Sequence, residues 1–183
     1  TAYAIGPCLV GSEMFIRDSL NIAGDDAMAH ISGACVGDGD FHHDDTVFVT
    51  HDAVGSESRQ VFKKVLRNGA TGVFQGKILV KPDAQKTDGY QISQSLLLDE
   101  DSQFLAKPEL EIYADDVACS HGSTSGAIDE DALFYLTSRG ISKPVAIDML
   151  TMAFLAEAVD EIDNDNLKDV ILELLSGWLE RRR

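Results

Sequence analysis

The chain has 183 residues, and its 44% hydrophobic and 25% charged fractions are ordinary for a folded protein of one domain with a small appendage. Its formal net charge of −16 repels phosphate backbones and argues against a nucleic-acid partner. No apolar run reaches the roughly 18 residues that a membrane-spanning helix requires. The three cysteines, Cys8, Cys35 and Cys119, are widely spaced without a Cys-x-x-Cys pair. This pattern favours a reducing cytoplasm over a disulfide framework.

Residues 1 to about 125 have the texture of β-structure. Short runs rich in β-branched and aromatic residues alternate with Gly, Asp, Asn and Pro, and each run has the length of a strand; examples are 46–50, 73–80, 90–98 and 109–113. Apolar anchors of these runs recur at a near-regular distance, 31 residues from Val49 to Val80 and 32 from Val80 to Ile112. Such spacing fits a parallel β-helix, whose strands stack coil upon coil. A β-sandwich is the competing interpretation.

From Asp129 onward the pattern becomes helical. Asp129 is placed as an N-cap and Gly140 as the following stop, and Pro144 opens a second helix that reaches about Val159. A third helix carries an apolar stripe, which we interpret as core packing, at Leu167, Val170, Ile171, Leu174, Leu175 and Trp178. The basic tail 181–183 suits the C-terminal end of that helix. The sequence therefore predicts a β-helix core over 1–127 and a C-terminal helical subdomain over 128–183.

Common catalytic motifs are incomplete. Gly76-Lys77 would need glycine at Thr71 to form a phosphate-binding loop, so no ATP site of that kind is predicted. A carbohydrate-active β-helix enzyme would need converging carboxylates, but Asp115 and Asp116 are adjacent and face opposite ways in a strand. The row from His42 to Asp45 contains metal-capable side chains, which we interpret as an exposed loop. No catalytic residue is predicted.

One segment, 115–122, concentrates a carboxylate, a thiol and an imidazole. If it is extended, Cys119 and His121 share one face of the strand. A thiol beside an imidazole can bind a soft metal, but two ligands do not complete an iron or zinc site. The missing ligands could come from another chain. The alternative is a buried cysteine and a hydrogen-bonded histidine that only pack the end of a sheet.

Several separated motifs resemble the SufB/SufD family of the SUF iron–sulfur cluster assembly system. They include Leu-Glu-Ile-Tyr-Ala-Asp-Asp-Val at 110–117 and Cys-Ser-His-Gly at 119–122, and others lie at 72–78, 84–88, 95–98, 133–136 and 138–141. The similarity is strongest from about His51 to Ala156. It favours the SufD branch, because SufB-type chains typically show Glu-His-Glu near His121. SufB-type chains also carry a sulfur-receiving cysteine near the position of Ser93.

The resemblance implies a right-handed parallel β-helix followed by helices, in the C-terminal portion of a longer protein, which fits a chain that opens with Thr1. It implies a non-catalytic scaffold that pairs with SufB through the β-helix ends and binds the SufC ATPase through its helices. Self-pairing into a homodimer is also plausible. No stably bound cofactor is expected, although a nascent iron–sulfur cluster could form at the SufB interface.

The resemblance also assigns candidate site residues. The functional histidine of the SufD side maps onto His121 and its neighbouring cysteine onto Cys119, so both are candidate cluster or metal ligands. Side chains on the helices are the expected contacts of the SufC partner, and they are Phe134, Tyr135, Arg139, Met149 and Phe154. We expect a cytoplasmic protein with no membrane partner. A SufB-type paralogue or a stand-alone carbohydrate-active enzyme is the alternative.

Overall fold

The computed structural model describes residues 13–180, with side chains from 15 onward. Eight strands precede three helices. The strands are β1 (Glu13–Ile22), β2 (Met28–Asp38), β3 (His42–His51), β4 (Glu57–Arg67), β5 (Thr71–Val80), β6 (Asp88–Leu97), β7 (Gln103–Ile112) and β8 (Ala118–Gly126). The helices are α1 (Glu130–Ser138), α2 (Lys143–Val159) and α3 (Asp165–Glu180). The predictions made for Cys8 and for the tail at 181–183 lie outside the described residues.

The strands form two parallel sheets that wind as a β-helix. The odd sheet has the order β1-β3-β5-β7 and the even sheet β2-β4-β6-β8, and every pairing is parallel. The chain therefore alternates between the sheets and returns beside its previous strand after about 30 residues. This confirms the β-helix prediction and excludes the sandwich, whose sheets are antiparallel. Of the anchor residues, Val80 and Ile112 lie side by side, whereas Val49 lies beside Ile78.

Apolar side chains from both sheets meet in the lumen of the β-helix. Every second residue of β5 is buried, as a strand with one inward face requires. The rings of Phe62 and Phe74, one from each sheet, have centroids 4.8 Å apart. They belong to a buried cluster with Ile22, Val47 and Val49. These contacts hold the two sheets against each other and fix which residues face inward.

The corner between β4 and β5 shows how the chain changes sheets. Asn68 and Gly69 both have positive φ, 57° and 85° respectively. Glycine adopts this conformation without a steric penalty, and asparagine tolerates it better than most residues. The Asn-Gly pair therefore allows a sharp corner, which the Ala70 amide closes by donating to the Arg67 carbonyl at 3.3 Å.

Helix α2 covers the outer face of the even sheet. It packs against β2 and β4, and Leu155 is fully buried beside Val65 and Leu96. Lys63 extends from the outer face of β4, where its ammonium donates to Glu157 and lies 4.4 Å from the Phe154 ring centroid. Strand β4 is consequently buried on both faces. The helices are thus attached along the side of the β-helix.

The third helix has the predicted amphipathic pattern, but its apolar stripe is only partly core. Leu175 packs against the cluster beneath α2, and Leu179 is buried. Val170 and Leu174 are 53% and 66% exposed, so the interpretation of the whole stripe as core was wrong for these two residues. Among the described helices α3 packs mainly against α2, which covers one edge of the stripe. None of the described helices is long and apolar enough to cross a bilayer.

Candidate functional site at the terminal rung of the β-helix

Strands β7 and β8 form the last coil of the β-helix, here called the terminal rung. β7 pairs with β5 and β8 pairs with β6, and neither has a second partner among the described strands. Each strand therefore presents a row of unpaired backbone donors and acceptors along its outer edge. The segment 115–122 leads into this rung, with Cys119 and His121 both on β8.

The register of β8 places both candidate ligands on its inward face. Cys119 lies beside Gly89 and His121 beside Gln91, and both of these neighbours are buried on β6. Neighbours in a parallel sheet point their side chains to the same side. Cys119 and His121 therefore share one face of the strand, as their spacing predicted, and that face points to the lumen.

The surroundings of Cys119 are apolar. Its side chain packs against the buried cluster that contains Ile78 and Val80. A Cβ built on Gly89 would lie 3.2 Å from the Cys119 sulfur, so the thiol occupies the space which the glycine leaves open. Burial raises the pKa of the Cys119 thiol. Because metals bind the thiolate, this environment weakens Cys119 as a ligand.

His121 has a different environment although it lies two residues away. Its side chain is exposed, because no further coil of the described residues covers the terminal rung, and its in-register neighbour on β6 is the buried Gln91. Within residues 13–180 no group of three or more His, Cys, Asp or Glu side chains converges to hold a metal ion. A cluster held at His121 would therefore need most of its ligands from another molecule.

A row of hydroxyl groups continues the inward face of β8. Ser123 and Ser125 are hydrogen-bonded to Ser93 and Ser95 on β6, at 3.0 and 2.8 Å. These contacts hold β8 in register with β6 through side chains as well as backbone. The position of His121 on the rung is consequently well defined by its own strand.

The predicted partner-binding residues divide into two groups. Phe134 and Tyr135 on α1 are 73% and 56% exposed, and Met149 on α2 is also exposed. The guanidinium of Arg139 lies 4.7 Å from the Tyr135 ring centroid, a cation–π contact that restrains both side chains. Phe154, in contrast, is half-buried under Lys63, between α2 and the even sheet.

Sequence reasoning missed a buried charged cluster inside the β-helix. The Lys64 ammonium donates to His43 Nδ1 at 2.6 Å and to Asp45 Oδ2 at 2.7 Å, and all three side chains are buried. Burial, together with the adjacent ammonium, lowers the pKa of His43, so its ring is neutral and accepts. The segment from His42 was interpreted as an exposed loop, and this was wrong because it forms β3. The available signal was the alternation of His43 and Asp45 with the apolar residues that follow.

Comparison with known proteins identifies the family that the chain resembles. The family model "SUF system FeS cluster assembly, SufBD core domain" matches residues 8–154. The iron–sulfur cluster assembly protein SufD of Escherichia coli is 34% identical over 172 residues, which are 94% of this chain and 41% of that protein. SufD of Bacillus subtilis is 29% identical over 87% of this chain and 36% of that protein. The chloroplastic protein ABCI7 of Arabidopsis thaliana is 36% identical over 67% of this chain and 26% of that protein.

A parallel β-helix with helices along its side, and a match over most of the described residues, define the class. The chain belongs to the SufBD core family of the SUF iron–sulfur cluster assembly system. Within that family it is of the SufD type, as the motifs at 110–122 indicated. It spans about two fifths of the length of its E. coli relative.

Proposed function

We propose that the chain is the scaffold portion of a SufD-type subunit, which pairs with a SufB-type chain at the terminal rung and presents His121 to a nascent iron–sulfur cluster. The cluster is the substrate of the assembly. The observation that carries the proposal is an exposed imidazole on an unpaired strand edge, without a group of three or more metal-binding side chains around it among the described residues. An incomplete ligand set at an open edge suits a site shared between two chains.

The edge of β8 is better suited to strand pairing than the edge of β7. β7 contains Pro108, which lacks a backbone donor, and the charged pair Lys107 and Glu109. Proline and charged side chains are devices by which proteins discourage edge pairing. The segment Ala118–Gly126 contains no proline and no Asp, Glu, Lys or Arg. Its backbone is therefore open to an added strand of a partner.

His121 is the stronger of the two candidate ligands. Its ring is exposed, whereas the Cys119 thiol packs against apolar side chains and has a raised pKa. An exposed imidazole can offer a ring-nitrogen lone pair to a metal without first being moved out of the core. Cys119 then acts mainly through packing, and its replacement by alanine should have a small effect on assembly.

The helices provide the surface for an ATPase partner of the SufC type. The chain lacks the phosphate-binding loop that such chemistry needs, so ATP hydrolysis would belong to the partner. The exposed aromatic residues Phe134 and Tyr135 on α1 and the exposed Met149 on α2 supply anchor residues of the kind enriched in interfaces. In accordance with the cysteine pattern, we place this assembly in a reducing cytoplasm.

Complementation tests the role of His121. Cells that lack the SufD-type subunit are supplied with the full-length protein as wild type, His121→Ala, Cys119→Ala or His30→Ala. His30, an exposed histidine on β2 away from the terminal rung, is the matched control. We expect His121→Ala to abolish cluster assembly while still forming the complex with the SufB and SufC partners. The Cys119→Ala and His30→Ala proteins should support assembly; full rescue by His121→Ala would refute the ligand role.

A pull-down measurement tests the pairing edge separately. Lysines at the outward positions Ser120 and Thr124 would guard β8 in the way that natural edge strands are guarded. We expect the double variant to lose the SufB partner but to keep the SufC partner, because the helices are untouched. A lysine in place of Leu105, which points outward on β7, should have less effect on SufB binding. Equal loss in both cases would show that the whole rung, rather than β8, forms the contact.

A further inference from the structure

The strand beside His121 carries a buried side-chain amide with an unused acceptor. Gln91 is the in-register neighbour of His121, and its side chain is fully buried. Gln91 Nε2 donates to Gln60 Oε1, one coil further into the β-helix, at 2.9 Å. Gln91 Oε1 has no hydrogen-bond partner among the described residues. Since buried polar atoms are nearly always paired, this oxygen is available to a donor at the terminal rung.

The opposite sheet is shaped around the same amide. A Cβ built on Gly76 of β5 would come within 2.5 Å of both Nε2 and Oε1 of Gln91. The amide therefore lies against the backbone at Gly76, and even a methyl group there would displace it. Glycine at this position keeps the Gln91 side chain extended across the lumen. The amide thus reaches from β6 to the backbone of β5, in the coil next to the terminal rung.

The column Gln60, Gln91 and His121 runs along the inward face of the even sheet. Adjacent strands of a sheet are about 4.8 Å apart, so the ring of His121 can reach the Gln91 amide through a side-chain rotation alone. A histidine that binds a metal through one ring nitrogen commonly donates from the other nitrogen to a nearby oxygen. That hydrogen bond selects the tautomer and orients the ring.

We propose that Gln91 is a positioning residue, whose Oε1 accepts a hydrogen bond from one ring nitrogen of His121 and leaves the other nitrogen as the lone-pair donor at the shared interface. The inference rests on the proposed function of His121 and extends it to the buried coil below. In this arrangement Gly76 has an indirect role, because it makes room for the amide. Gln60 orients the amide by accepting from its nitrogen.

Long-range ¹H–¹⁵N spectra of the ring nitrogens test the proposal without any metal. The full chain is labelled at histidine, and the His121 signals are assigned by their loss in His121→Asn. We expect wild type to show one dominant tautomer of His121. Gln91→Leu should give the averaged signals of a freely solvated imidazole. Gln94→Leu, a matched change on the outward face of the same strand, should keep the wild-type tautomer.

A second variant separates positioning from folding. Gly76→Ala retains Gln91 but displaces its amide, so it should produce the same averaging of the His121 signals. Far-UV circular dichroism and urea denaturation verify that each variant is folded. An unchanged His121 tautomer in both folded variants, or the same averaging in Gln94→Leu as in Gln91→Leu, would overturn the positioning role.

Complementation distinguishes failure of this inference from failure of the proposed function. Loss of a hydrogen-bonding partner behind a ligand typically costs about 10- to 100-fold in affinity or activity, and we expect a decrease of this size for Gln91→Leu. Gln91→Glu, which keeps an oxygen acceptor, should restore part of the activity. If His121→Ala supports normal assembly, the proposed function is wrong whatever the spectra show. If His121 is essential while Gln91→Leu is fully active, only the positioning role is wrong.

Discussion

His51 should make the fold sensitive to pH in a range where an ordinary histidine would not. Its side chain is fully buried at the end of β3, with Nδ1 2.7 Å from Ser56 Oγ and Nε2 2.9 Å from Ser58 Oγ. Ser56 Oγ donates to the Ala53 carbonyl at 3.2 Å, so it accepts from His51 Nδ1, and Ser58 donates to Nε2. In this arrangement both nitrogens of the neutral ring are satisfied. Burial lowers the pKa of His51 from 6.5 to about 4.

The sign and size of the effect follow from this lowered pKa. The unfolded chain takes up a proton at His51 near pH 6.5, whereas the folded chain resists it until about pH 4. The stabilisation is therefore fully present above pH 6.5 and is lost as the pH falls towards 4. The difference between the two pKa values corresponds to at most about 3 kcal/mol of unfolding free energy. Of this contribution, about 2 kcal/mol is lost at pH 5.

Urea denaturation of wild type and His51→Gln isolates this contribution. The difference in unfolding free energy between the two proteins should shrink by about 2 kcal/mol from about pH 7.5 to about pH 5. Carboxylates and His43 titrate in both proteins, so their contributions cancel in the comparison. A constant gap between wild type and His51→Gln would refute the assignment of a buried, neutral ring.

Three further changes probe the packing, each measured by urea denaturation. Lys64→Ala should lower the unfolding free energy by about 3–5 kcal/mol, because it leaves the buried Asp45 carboxylate without its cation. The double variant Lys64→Ala with Asp45→Ala should lose less stability than the sum of the two single losses. Additive losses would contradict a coupled pair. Leu155→Ala should cost about 2–5 kcal/mol, since the leucine is fully buried between α2 and the even sheet, and a loss under about 1 kcal/mol would place it outside the core. Asp129→Ala should cost about 1 kcal/mol, because the Asp129 carboxylate accepts from two backbone amides at the start of α1, whereas Asp129→Asn should retain most of the stability.

The repeat of the β-helix could be predicted from the sequence because its apolar residues must face a common lumen. The interval from Val80 to Ile112 matches a pair that lies in register. The interval from Val49 to Val80 does not, because Val49 pairs with Ile78. The corners of successive coils differ in length, so a sequence interval identifies the neighbouring coil without fixing the partner within it. Backbone pairing decides the final register.

The polar contents of the lumen were less accessible to sequence reasoning. His43 and Asp45 are buried because Lys64, from the other sheet, supplies a donor for both. A local pattern cannot contain a partner that lies 19 to 21 residues away on a different strand. The exposure of Val170 and Leu174 has a similar origin. Periodicity shows that a helix has an apolar face, but neighbouring elements determine how much of that face is covered.

The different environments of Cys119 and His121 illustrate the same dependence at the candidate site. On β8 alone the two residues are equivalent, since they share the inward face and lie two positions apart. The preceding coil separates them, because Gly89 admits the thiol to an apolar cluster while Gln91 presents a polar amide under the imidazole. In a β-helix the chemistry of a residue is set by the residue about 30 positions earlier. The motif at 119–122 therefore has to be interpreted together with 89–92, and this pairing is the basis on which we propose His121 as the ligand and Gln91 as its positioning residue.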